Sequence, residues 1–143
     1  MRMICEPSRA EPVSLVGGKT TATVIVVDDD VSIRRALASE LRILGFDVSV
    51  FQTAEELLVC KLPIDNACLL LDVYMPGMSG IELCQSLAAS NRHLPTILMS
   101  GRDDEVSREI MRQAQPIAVL YKPFDQKTLL QAIRKALRAI GKT

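Results

Sequence analysis

Neither sign of charge is in excess in this sequence. Lysine plus arginine and aspartate plus glutamate both count 17, so the formal net charge is zero. No basic excess points to nucleic acid, and no acidic tail forms a solvating segment. The four cysteines, Cys5, Cys60, Cys68 and Cys84, form no CxxC and no Cys/His cluster, which argues against a zinc site. They read as reduced thiols of a cytoplasmic protein. No apolar run is long enough to span a bilayer. The first 21 residues carry Arg2, Glu6, Arg9 and Glu11 and no apolar stretch of signal-peptide type, so residues 1–21 are expected to be a flexible arm. Histidine occurs once, as His93, in a polar loop beside Asn91, Arg92 and Pro95. That context suits a surface side chain better than a phosphotransfer or catalytic group.

What remains is a soluble-type composition, 48% hydrophobic and 24% charged in 143 residues, a one-domain length that can bury a core without staples. β-Branched and apolar runs alternate with helical stripes. Strands are expected at Thr23–Val27, Phe46–Phe51, Ala67–Leu71, Thr96–Met99 and Ile117–Leu120. Between them, Ile33, Leu37, Leu41 and Leu44 repeat at helical spacing and stop at Gly45. Thr53 with Glu56 forms a capping box for a short helix to about Cys60, closed by Pro63. Ile81, Leu83, Cys84 and Leu87 mark a third helix. Val106, Ile110 and Ala114 mark a fourth. Asp125 caps a last one carrying Leu129, Ile133, Leu137 and Ile140. Five strand–helix units predict an α/β fold with a parallel sheet covered on both faces. Residues 22–141 form that domain, with no output domain expected in the chain.

Ligands of open α/β sheets bind beyond the carboxyl ends of the strands. Strand one ends at Asp28-Asp29-Asp30, strand three at Asp72, strand four at Ser100 and strand five at Lys122. Converging carboxylates need a cation, and an all-oxygen set suits magnesium. A hydroxyl and an ammonium beside them suit a phosphoryl group. A carboxylate can be the nucleophile that forms an aspartyl phosphate, and Asp72, in the middle of the set, is the better candidate. Asp30 is open to two readings, a member of the acidic site or a helix cap.

The segments Val26-Val27-Asp28-Asp29-Asp30, Leu71-Asp72-Val73-Tyr74-Met75-Pro76-Gly77-Met78-Ser79-Gly80, Met99-Ser100-Gly101 and Lys122-Pro123-Phe124 resemble the signature of response-regulator receiver domains of two-component signalling. The match runs from Val24 to about Ala139 and is most similar to FixJ- and NarL-type receivers with a CheY-like fold. The resemblance implies a doubly wound, flavodoxin-like sheet of order 2-1-3-4-5 with five helices. It implies a phosphoacceptor at Asp72, magnesium on Asp28, Asp29, Asp72 and the backbone carbonyl of Tyr74, and phosphoryl contacts from Ser100 and Lys122. It also implies a cis Lys122–Pro123 bond. The partners implied are a histidine kinase or phosphotransfer protein and a downstream protein target. A homodimer through the last helix–strand–helix face is allowed, and no direct nucleic-acid or membrane partner is expected. The role is a signalling phosphoacceptor, not an enzyme. Two features depart from the family. Val119 stands where a switch aromatic is usual, and Gln115-Pro116 stand where glycine and alanine are usual. A pseudo-receiver that is not phosphorylated is one alternative. A flavodoxin-like small-molecule binder is the other, opposed by three aspartates and an aromatic content of 3%.

Overall fold

The computed structural model describes residues 22–61 and 65–140; the expected arm at residues 1–21 and the stop at Pro63 lie outside these. The strands are β1 (Thr23–Val27), β2 (Asp47–Phe51), β3 (Ala67–Asp72), β4 (Thr96–Ser100) and β5 (Ala118–Tyr121). The helices are α1 (Val31–Ile43), α2 (Ala54–Leu58), α3 (Gly80–Ala89), α4 (Glu105–Arg112) and α5 (Gln126–Ile140). All strand pairs are parallel, in the order β2-β1-β3-β4-β5, the doubly wound arrangement that the resemblance implies.

Alternation along each strand divides the core. Val24, Val26, Cys68, Leu70, Ile97 and Met99 face Leu37 and Leu41 of α1 and Leu129 and Ile133 of α5. Ile25, Val27, Leu69, Leu71 and Leu98 face α2, α3 and α4. Both faces of the central strands are therefore dry, which is why they read as continuous apolar runs.

Local signals place the helices. Asp30 caps α1 by accepting from the N–H groups of Ser32 and Ile33, and Gly45, at φ +98°, turns the chain after it. Thr53 caps α2 through the Glu56 N–H. The Glu56 carboxylate reaches back to Gln52 N–H, not to Thr53, so the expected box is displaced by one residue. A complete capping box forms instead at Ser79 and Glu82 of α3, an S-x-x-E pattern that the sequence reading passed over. The buried face of α4 also differs from the expected stripe. Val106 is 71% exposed, and the face that packs carries Ser107, Ile110, Met111 and Ala114. Those positions follow the i, i+3, i+4, i+7 rule; a serine among them hid the register.

Candidate functional site

Strand register assembles the site. Val27 pairs with Leu71, Asp72 with Met99 and Ser100 with Tyr121. Asp28, Asp72, Ser100 and Lys122 therefore fall in one row at the carboxyl ends of adjacent strands. β1 sends its crossover toward β2 and β3 sends its own toward β4, so the crevice between β1 and β3 is the switch point where such sheets bind ligands. One carboxylate oxygen each from Asp28, Asp29 and Asp72 lies within 4.8 Å of the others. Asp28 is fully buried, Asp72 is 7% exposed and Asp29 is open to solvent.

Lys122 closes the cluster. Its Nζ donates to Asp28 Oδ2 at 3.1 Å and lies 3.5 Å from Asp72 Oδ2. One ammonium against three carboxylates leaves an acidic excess. Asp72 registers it: burial, then the Asp28 charge, push its pKa up to about 6, with Asp29 adding a little, while Lys122 and the Tyr74 N–H hold it down. Burial works against the Lys122 charge, but the hydrogen bond to Asp28 and the charges of Asp72 and Asp28 raise its pKa on balance. The remaining hydrogen bonds set the frame. Asp28 Oδ1 accepts from Asp30 N–H, the Asp28 carbonyl accepts from Arg34 Nη1 at 2.8 Å, and Asp72 Oδ1 accepts from Tyr74 N–H. Asp30 is thus a cap of α1, which resolves its two readings.

Ser100 is fully buried, and its hydroxyl is engaged beside the carboxylates, not with them. It donates to the Arg102 carbonyl at 2.9 Å and accepts from the Arg102 N–H at 3.0 Å. Sequence reasoning missed a second set of contacts. Tyr74 Oη and Ser107 Oγ share a 2.6 Å hydrogen bond, and the Arg102 guanidinium lies 5.0 Å over the Tyr74 ring, within cation–π range. Partners 33 residues apart leave no periodic signal. Gly80 is required for close approach: a Cβ there would meet the Asp72 carbonyl oxygen at 2.6 Å.

The Lys122–Pro123 peptide bond is cis, as the resemblance implies. His93 is exposed and bonded to Asn91 Oδ1. Cys68 and Cys84 are free thiols, with burial pushing Cys68 up to about 12. No helix among the described residues is long and apolar enough to cross a membrane.

Residues 24–134 match the response regulator receiver domain. The chain is 38% identical over 114 residues to nodulation protein W of Bradyrhizobium diazoefficiens, covering 80% of this chain and 50% of that protein. It is 35% identical over 114 residues to the transcriptional regulatory protein FixJ of Azorhizobium caulinodans, covering 80% and 54%. The chain therefore spans about half the length of these curated relatives. Among solved structures, response regulator StyR matches at 39% identity and a TM-score of 0.77, covering 86% of this chain and 62% of that one. The crystal structure of FixJ-N matches at 31% and 0.74, covering 84% and 96%. With the fold, the strand order and more than two thirds of the residues matched, the chain belongs to the response regulator receiver domain family.

Proposed function

We propose that this chain, with residues 22–141 as its receiver, is a cytoplasmic phosphoacceptor whose Asp72 takes a phosphoryl group from a phosphohistidine of a histidine kinase or phosphotransfer protein. The observation that carries this is the convergence of the Asp28, Asp29 and Asp72 carboxylates within 4.8 Å, with Lys122 Nζ joining Asp28 and Asp72. The donor set is all oxygen and partly open to solvent, which fits a hard cation that keeps several waters. Asp28, Asp29 and Asp72, with the Tyr74 carbonyl, would hold magnesium, which supplies the positive charge that lets a phosphoryl anion approach three carboxylates.

An Asp72 oxygen forms the new O–P bond as the P–N bond to the donor imidazole breaks and its electron pair returns to nitrogen. Lys122 pairs with the incoming anion, and Ser100 donates to a phosphoryl oxygen once it leaves the Arg102 turn. The result adds negative charge at the strand ends and biases the surface met by a downstream protein target. The role is signalling, not turnover of a free substrate.

The test is acetyl phosphate as donor, read on a phosphate-affinity gel. Labelling is expected with magnesium and is lost with a chelator or in Asp72→Asn. Labelling that persists in either condition overturns the assignment.

A further inference from the structure

A buried serine on a helix that faces an apolar layer needs a reason. Ser107 of α4 is 1% exposed and lies on the face that also carries Ile110 and Met111. Its backbone N–H is taken by the cap residue Asp104, and its hydroxyl pairs with the Tyr74 hydroxyl. Tyr74 is two residues past Asp72, and its own N–H donates to the Asp72 carboxylate. The Arg102 guanidinium covers its ring, while the Arg102 backbone holds the Ser100 hydroxyl from both sides. Both groups expected to feel a phosphoryl group, the Asp72 carboxylate and the Ser100 hydroxyl, are therefore one step from the same aromatic side chain.

We propose that the Tyr74 side chain links the state of the site to α4, through its hydrogen bond to Ser107. This rests on the phosphoacceptor reading given above. When Ser100 turns to donate to a phosphoryl oxygen, it gives up the Arg102 N–H and carbonyl. The β4–α4 turn then shifts, the guanidinium leaves its seat over the ring, and the Tyr74–Ser107 bond opens. The first turn of α4 loses its tie to the β3–α3 loop. Val119, a side chain with no polar atom, has no comparable bond to break.

The experiment is amide hydrogen exchange and chemical-shift mapping of the full chain by NMR, with and without beryllofluoride and magnesium. The variants are Ser107→Ala, Tyr74→Phe and the double variant, each checked for fold by circular dichroism. Ser107→Ala keeps the capped N–H and stands outside the metal and phosphoryl contacts, but it also removes the Ser107 hydroxyl from Asp104, a loss that Tyr74→Phe does not share. Losing one hydrogen bond should speed exchange of the resting α4 amides about three- to tenfold. The beryllofluoride shift over residues 105–112 should fall below about half its wild-type size, while the response at Asp72 remains. Tyr74→Phe should act on α4 in the same way, and the double variant should add nothing further. Wild-type exchange and response in both single variants overturns the link, as does simple addition in the double variant. A wild-type response at Asp72 with none in α4 overturns it too, leaving the phosphoacceptor reading intact. No response at Asp72 in the wild-type protein overturns both.

Discussion

Asp72 concentrates the cost of the site. Its carboxyl titrates near 6 in the folded chain, against an ordinary value of 3.8, because ionising it places a further charge in a buried acidic row. Between these two values the folded state holds a proton that the unfolded state has released. Stability of the metal-free protein therefore falls as pH rises from about 4 to about 6 and stays lower above that, by at most about 3 kcal/mol. Asp104 and Asp125 act in the opposite sense: their hydrogen bonds to Ser107 and Thr128 hold them low, so their contribution is lost as pH drops below about 4. Comparing urea unfolding of the wild-type chain with Asp72→Asn between pH 4.5 and 7 isolates the Asp72 part. The expected outcome is a gap that widens with pH in favour of the asparagine variant, and that magnesium narrows. A gap that does not change with pH contradicts the account. The identities of Asp28, Asp72 and Lys122 were legible because each is the first charged residue after an apolar run. The hydroxyl of Ser100 was not, since its direction is fixed by the backbone turn at Arg102 and not by its place in the sequence.

Elements joined without slack surround that row. The start of α3 is pressed against the end of β3, where Gly80 N–H donates to the Val73 carbonyl and a Cβ at Gly80 would lie 2.6 Å from the Asp72 carbonyl oxygen and 3.2 Å from the Val73 Cα. Backbone cannot yield as a side-chain tip can, so Gly80→Ala is expected to cost about 2 kcal/mol or more. It should also weaken magnesium binding by displacing Asp72, as measured by urea unfolding and by titration calorimetry. The exit of α4 shows the reverse case. Gln115 sits at φ +50°, a left-handed conformation that costs a side-chain-bearing residue on the order of 1 kcal/mol. Gln115→Gly should therefore raise stability, by up to about 0.5 kcal/mol after the entropy glycine gains in the unfolded chain. A lower melting temperature for that variant would show that the glutamine side chain does more than occupy the turn. The sequence exposed the departure at Gln115 but not its backbone angle. It exposed the helices through their apolar stripes, and Ile110 of α4 and Ala114 after it pack as expected, but it put Val106 on the packed face where the polar Ser107 is buried instead.

Across the whole molecule, strand count and helix alternation follow from local pattern, whereas strand order depends on pairings between distant segments, and only the resemblance supplied it. The same division governs how a change at Asp72 should spread. β5 and α5 lie on the Lys122 side, and β5 carries Val119, half-buried against the α2–α3–α4 layer. A cavity of about 540 Å³ opens beside it, lined by Arg108, Met111, Arg112, Pro116 and Tyr121 among others. Valine has one stiff χ1 and no ring to swing into that space, so little in β5 can rearrange when Ser100 moves. The turn at Gly101 to Asp104 and the helix after it are held to the site by polar contacts that a phosphoryl group would compete for. Beryllofluoride with magnesium is therefore expected to produce its largest amide shifts between Ser100 and Ala114, and smaller ones from Val119 to Ala132. Val119→Tyr places a ring at the cavity and should move part of the response onto β5 and the start of α5. Largest shifts on Val119 through Ala132 in the wild-type chain, or a Val119→Tyr map identical to it, would show that the signal leaves the site by the last strand and helix regardless of the ring.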